Sequence, residues 1–447
     1  MQQAVKDGTR KMQKYFDLVI IGGGIVGTAL AREMKMRFPS LTMAILEKEH
    51  SVGTHQTGHN SGVVHAGIYY KPGSLKARLC VSGMKKSYKY FDEKGIPYKK
   101  CGKLIVATEE KQIEKLDTLY SNSLQNGLTS VKMLHQNEIK EVEPYCKGLK
   151  ALHSPETGIV DWGMVAESYS RDFESAGGTI IPYFDVIGII ENNDTPKKAY
   201  DFPVRIIGRT NSNIYAKYVC TCGGLYADKL AMMTGCSPNP VIVPVRGEYL
   251  KLSYQKQHLV NGNIYPVPDP RLPFLGVHFT PRMDGSIWVG PNAVLAFRRE
   301  GYRWRDIKFS ELKETLFSRS FQKLAFKYFA FGTSEMLKSI VIGLQVKELQ
   351  KFIPDITARD ISRGPTGVRA QALDINGEFL DDFYFDTAKI GALAERVMHC
   401  RNAPSPAATS SLAIAEHLAV ELETRFGLKR IVSNNEKRVS KKSTRLK

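Results

Sequence analysis

The segment Asp17-Leu18-Val19-Ile20-Ile21-Gly22-Gly23-Gly24-Ile25-Val26-Gly27 constrains the fold more than any other stretch of the chain. Its apolar, β-branched run reads as a buried parallel strand, and it leads directly into glycines spaced GxGxxG. The residues from Ile25 to Phe38 read as a helix, and Thr42-Met43-Ala44-Ile45-Leu46 as a second strand ending in Glu47. Each residue type has a physical job. Gly22 permits the tight turn, Gly24 lets the main-chain N–H groups of the first helical turn, Ile25 and Val26 included, approach a pyrophosphate, and Gly27 allows close helix–strand packing. Glu47, with Lys48 beside it, is placed to accept from adenosine ribose hydroxyls, and an acid there would repel a ribose phosphate. The expectation is a dinucleotide-binding lobe.

After Glu47 the chain continues Thr57-Gly58-His59-Asn60-Ser61-Gly62-Val63-Val64-His65-Ala66-Gly67-Ile68-Tyr69-Tyr70. This small, polar stretch suits close main-chain approach to a flavin, which favours FAD over NAD. The pattern resembles the D-amino acid oxidase superfamily of flavoproteins. Further segments are similar to the L-2-hydroxyglutarate dehydrogenase family: residues 55–62, Cys101-Gly102-Lys103-Leu104-Ile105-Val106-Ala107, Thr157-Gly158-Ile159-Val160-Asp161, residues 263–268, Gly290-Pro291-Asn292-Ala293 and residues 402–411. The likeness runs from about residue 15 to about residue 428.

That resemblance implies an α/β fold: a discontinuous Rossmann-type FAD-binding domain with an inserted α+β substrate domain built on a large antiparallel sheet. The expected boundaries are 15–100, 151–235 and 351–428 for the FAD domain and 101–150 with 236–350 for the substrate domain, leaving 1–14 and 429–447 as flexible basic termini. Tyr218-Val219-Cys220-Thr221-Cys222-Gly223-Gly224 reads as a strand returning to the flavin lobe. Gly223, Gly224 and, further back, Val186 are expected near the cofactor. Some members of the superfamily attach FAD covalently to a histidine in a position roughly like that of His59; a non-covalent flavin is expected here.

Oxidising a hydroxy acid requires a cation for the carboxylate, a base for the hydroxyl proton and a flavin face close to the C–H bond. Gly364-Pro365-Thr366-Gly367-Val368-Arg369 resembles the superfamily segment whose arginine forks onto the substrate carboxylate, so Arg369 is expected there. His65 is the first choice of base and His278 the rival base or carboxylate ligand. A dicarboxylate needs a second polar subsite, for which Tyr70, Lys71, Arg246, Arg298 and Arg401 are candidates. Pro404 to Ser411, with Ser405, Pro406, Ala407, Ala408, Thr409 and Ser410, is expected to open a helix whose N–H groups face the flavin pyrimidine.

Composition bounds the rest. The formal net charge of +18 favours anionic partners, and much of it lies in the basic stretch Lys429 to Lys447. Seven scattered cysteines lack paired CxxC spacing, which fits a reducing compartment. No run is apolar enough for a membrane span. Phe309 to Leu349 holds aromatics at helical spacing among lysines, read first as core packing and second as a face that lies on an anionic membrane. The resemblance further implies a mitochondrial, peripherally membrane-associated enzyme that passes electrons to a quinone. No interleaved aromatic and basic nucleic-acid module is present. The competing reading is an amino-acid or amine oxidase of the glycine or sarcosine oxidase kind.

Overall fold

The computed structural model describes residues 14–193, 200–269 and 274–429, so all but Lys14 and Lys429 of the two expected flexible termini lie outside it. The apolar run at its start becomes the strand Tyr15–Ile21, which pairs in parallel with Met43–Leu46 on one side and Asn213–Thr221 on the other. Five further contiguous or branching partners bring this sheet to eight strands, among them Val397–Asn402, parallel to Asn213–Thr221.

Side-chain alternation decides what each face of the first strand covers. Leu18 and Ile20 pack with Leu30, Met34, Leu418 and Leu422, whereas Val19 and Ile21 pack with Ile206, Leu230 and Val397 on the other face. The helices Ile25–Arg37, Trp162–Ser175 and Ala407–Phe426 therefore share one layer, with Leu75–Lys94 against the last of them. Ser74 caps Leu75–Lys94 by accepting the Ala77 N–H at 3.2 Å, and Gly95 ends that helix at φ 63°.

The second sheet has nine strands and is antiparallel except where Asn263–Pro266 runs parallel to Lys103–Ala107. Its longest pairing joins Val241–Leu252 to Ile361–Leu373. Two stretches expected in the dinucleotide lobe belong here instead: Lys150–Ser154 pairs with Lys103–Ala107, and Ile361–Leu373 with Val241–Leu252. The segments 151–154 and 361–373 therefore go with the substrate sheet. A buried strand has the same pattern in either sheet, and only its partner tells them apart.

A small three-stranded sheet of Val63–Val64, Gly158–Val160 and Tyr98–Lys99 holds the turn that leads to His65. Residues Phe309 to Leu349 form four consecutive helices. Phe321, Leu324 and Tyr328 pack onto Val243, Val245 and Leu373 as the core reading expects. Phe309, Phe317, Phe326 and Phe329 instead face solvent, 71–90% exposed.

Candidate active site

A cavity of about 980 Å³ lies between the two sheets. The start of the first helix, the turn following Glu47, the inner face of the second sheet and the start of the last helix all contribute to its wall.

At one end the glycines behave as their spacing requires. Gly22 has φ 110°, and a Cβ there would run into the Cys222 carbonyl; a Cβ on Gly27 would strike the Gly22 carbonyl. Gly24 differs, because a Cβ there would meet only the Thr57 hydroxyl, at 3.5 Å, so its open side faces the cavity. Gly24 supplies no side-chain cap to the helix Ile25–Arg37, whose first turn carries no acid. The positive end of that helix is thus uncompensated by charge where it meets the cavity, an arrangement that suits a pyrophosphate. The Ile25 N–H donates to Thr57 Oγ1 at 2.9 Å.

Glu47 is 8% exposed, and its carboxylate is fixed by the Gly23 N–H at 2.7 Å and the Glu49 N–H at 2.9 Å. Lys48 departs from expectation: its ammonium pairs with Glu300 and, at 3.1 Å, with Glu49, outside the cavity. Gly224 lines the cavity, while Gly223 lies behind it and Val186 starts a strand in the outer part of the first sheet.

The turn carrying Asn60, Ser61 and Gly62 is self-supporting. Asn60 Oδ1 accepts the Gly62 N–H at 2.8 Å, and its amide donates to the Gln56 and Thr57 carbonyls at 3.0 and 2.6 Å. Gly62 sits at φ 75°. His59 donates from Nδ1 to the Thr366 carbonyl at 3.0 Å. Ser405, Pro406, Ala407, Ala408 and Thr409 line the cavity at the start of Ala407–Phe426, as expected. Ser410 does not: the helical turn directs it into the core, against Gly83.

On the substrate side, alternation along Val241–Leu252 separates the candidates. Gly247 and Tyr249 face the cavity. Arg246 and Glu248 face the opposite side, where Arg246 is wholly buried, bonded to Glu248 at 2.9 and 3.1 Å and stacked 4.6 Å from the Trp304 ring. Arg246 is therefore not a substrate ligand. Arg401 borders the cavity, but its guanidinium is committed to Asp386 at 3.2 Å and to the Ser237 and Pro240 carbonyls. Arg298 lies outside, 3.9 Å from Glu300. Gly364 also lies outside the wall; Gly367 is the cavity glycine of that strand, and its missing side chain admits the His59 carbonyl.

Arg369 remains in place. It lines the cavity beside Tyr249, its guanidinium 5.7 Å from the Phe274 ring, and among the described residues no carboxylate pairs with it. His278 stacks on Tyr265 at 3.9 Å and donates from Nδ1 to the Gly276 carbonyl at 3.0 Å, which leaves Nε2 as the acceptor. Burial lowers its pKa to about 3. Burial also holds His65 well below the usual imidazole range, with the nearby Lys103 adding to the effect. Both histidines are thus neutral at physiological pH. Tyr70 lines the wall with Lys76 over its ring at 5.1 Å, and Lys71 is exposed at the rim.

Sequence reasoning missed Gln56, Tyr249, Tyr265 and Lys103. Gln56 touches both domains, accepting the Ala370 N–H at 3.0 Å. Lys103 was legible as a lysine heading an otherwise apolar strand.

A family model described as FAD dependent oxidoreductase matches residues 17–420. The chain belongs to the FAD dependent oxidoreductase family. This FAD dependent oxidoreductase is 53% identical to the human protein named "L-2-hydroxyglutarate dehydrogenase, mitochondrial", over 92% of this chain and 90% of the relative. It is 52% identical to a protein of the same name from Nematostella vectensis, covering 95% of this chain and 94% of that one. Among solved structures, FAD-bound L-alpha-glycerophosphate oxidase from Mycoplasma pneumoniae superposes with a TM-score of 0.72 at 21% identity, over 94% of this chain and 97% of that one. L-proline dehydrogenase from P. horikoshii gives 0.64 at 17%, over 94% and 96%. These two likenesses speak to the fold.

FAD is the cofactor, and the cavity fits it. The open side of Gly24, the uncompensated helix end, Glu47, and the second helix start at Ala407 are the features that would hold its pyrophosphate, ribose and ring.

Proposed function

We propose that the chain oxidises L-2-hydroxyglutarate to 2-oxoglutarate, with Arg369, His65 and His278 forming the reactive end of the site. The observation that carries this reading is a guanidinium without a carboxylate partner among the described residues, in one cavity with two neutral imidazoles, in a flavoprotein whose relatives over nine-tenths of its length bear that dehydrogenase name. FAD, when bound, supplies the hydride acceptor. Arg369 forks onto the carboxylate next to the hydroxyl-bearing carbon and fixes which face of that carbon is presented. A neutral imidazole, His65 in the first instance, takes the hydroxyl proton as the C–H bond breaks. The aromatic wall of Tyr249 and Tyr265 excludes water from the reacting end.

The flavin is held without a covalent bond, and acid precipitation should release the yellow colour. The relatives named mitochondrial support a mitochondrial location. No helix among the described residues is long and apolar enough to cross a membrane. The outward-facing Phe309, Phe317, Phe326 and Phe329, on helices that also carry Lys313, Lys323 and Lys327, support peripheral contact with an anionic inner-membrane surface and a quinone as acceptor.

Anaerobic mixing with L- and D-2-hydroxyglutarate tests the reading. The L enantiomer should bleach the visible flavin band and the D enantiomer should not. Bleaching by glycine, sarcosine or D-amino acids in place of L-2-hydroxyglutarate would overturn it.

A further inference from the structure

Lys103 heads the strand Lys103–Ala107, and alternation puts its side chain on the cavity side of the second sheet. Ile105 and Ala107, at the same parity, pack in the core shared with the flavin lobe and with Tyr265, whereas Leu104 and Val106 pack on the far side. The residue is 2% exposed. Its ammonium stands 4.0 Å from the Tyr265 ring centre and 5.5 Å from that of Tyr69, and both rings line the cavity.

Among the described residues no carboxylate pairs with this amine, and burial lowers its pKa to about 7 against the smaller opposing influence of Cys80 and Cys101. Removing an ammonium from water costs several kcal/mol, and an aromatic face returns about 0.5–2 kcal/mol. The burial is left under-compensated. Lys103 thus lies directly behind the ring wall of the cavity, and it is not the one unmet donor there. The Tyr69 hydroxyl, on a ring that lines the cavity, is buried without a hydrogen-bond partner among the described residues. The Lys103 amine and the Tyr69 hydroxyl thus lie beside Tyr265 with no acidic partner among the described residues, and such a pair is complementary to an anion.

The position of the pair gives the anion its identity. Lys103 and Arg369 are both among the charges acting on His278, so both stand within electrostatic reach of the reacting end of the cavity. Of the other arginines considered as a second cation, Arg246 is consumed by Glu248, and Arg401 is tied through both terminal nitrogens to Asp386, Ser237 and Pro240, with only its Nε unpartnered among the described residues.

We propose that Lys103 is the second cation of the substrate site, receiving with the Tyr69 hydroxyl the distal carboxylate of a five-carbon dicarboxylate whose hydroxy-acid end is held by Arg369. This rests on the hydroxyglutarate reading above. It makes Lys103 the residue that separates dicarboxylates from monocarboxylates of equal length.

The test uses the FAD-loaded protein and two ligands that cannot be oxidised at a hydroxyl, glutarate and pentanoate, followed through perturbation of the flavin spectrum. Wild type should bind glutarate more tightly than pentanoate. Lys103→Met should weaken glutarate by about 10- to 100-fold, the range for a charged hydrogen bond, and leave pentanoate within about twofold. Tyr69→Phe should weaken glutarate by a smaller factor in the same selective way, and serves if Lys103→Met does not fold. Equal weakening of both ligands, or a preserved preference in both variants, would overturn the role of Lys103 and Tyr69 alone. A wild type with no preference for glutarate would overturn the dicarboxylate reading and this inference together.

Discussion

The main-chain N–H of His65 donates to the Thr409 hydroxyl at 3.0 Å, a bond between residues 344 positions apart. The same hydroxyl reaches the Val63 carbonyl at 3.4 Å. One threonine at the start of the last helix thus sets the turn that carries the proposed base. Thr409→Val keeps the shape and strands the His65 N–H, at a cost of about 1–3 kcal/mol. Flavin fluorescence titration should show weaker FAD binding in Thr409→Val and near-normal binding in Thr409→Ser.

Arg369→Ala should keep FAD and lose bleaching by L-2-hydroxyglutarate at ordinary substrate concentrations. Arg369→Lys should recover little, because a point charge cannot fork onto a planar carboxylate. Stopped-flow absorbance reads both; unchanged bleaching in the alanine variant would remove Arg369 from the carboxylate subsite.

His65→Ala should retain FAD and slow flavin reduction by a factor on the order of 100 to 10,000. His278→Ala is the internal comparison. If it alone gives that loss with FAD retained, the base is His278; if His65→Ala releases FAD, His65 is structural.

Acid sensitivity should come in part from a histidine remote from substrate. His399 is wholly buried, bonded to the Thr221 hydroxyl at 2.9 Å and the Thr234 hydroxyl at 2.7 Å, and burial lowers its pKa to about 4. The unfolded chain therefore takes up a proton near pH 6.5 that the folded one refuses until about pH 4, so stability is full above 6.5 and falls across that window. The loss from this group is about 2 kcal/mol by pH 5. Melting temperatures from pH 7 to 5 should fall less steeply in His399→Gln than in wild type.

Arg299 forks onto Asp228, Nη1 to Oδ1 at 2.7 Å and Nη2 to Oδ2 at 2.8 Å, with both side chains at most 5% exposed. Asp228→Asn leaves a buried guanidinium with only the more distant Glu314, at 3.9 Å, as an ion-pair partner among the described residues and should cost about 3–5 kcal/mol in denaturant unfolding. A change under about 1 kcal/mol would mean that the pair is solvated in solution.

The nucleotide arm was legible because local rules govern it: glycines whose spacing meets a turn, a helix start and a tight contact, followed by an acid at a strand end. That Arg369 lines the cavity was legible from its motif. The choice among the other arginines was not, because exposure of a cationic residue depends on strand parity relative to a sheet not yet assembled. Even so, the one-residue spacing of Arg246 and Glu248 puts opposite charges on one face of an extended chain, which was a readable sign of an internal pair. Lys103 carried a sign of its own, a lysine heading an otherwise apolar strand, but that pattern does not say what the side chain meets. The assignment of Ile361–Leu373 failed for a similar reason, since only its pairing with Val241–Leu252 places it.

The sheet that cradles FAD takes its parallel neighbour Val397–Asn402 and its covering helix Ala407–Phe426 from the last seventh of the sequence. A ribosome must therefore release nearly the whole polypeptide before the nucleotide lobe can close. Cofactor capture is consequently a post-translational event, and a premature stop even a few dozen codons from the end would yield an apoprotein open along one flank, a substrate for proteolysis instead of a partly active enzyme.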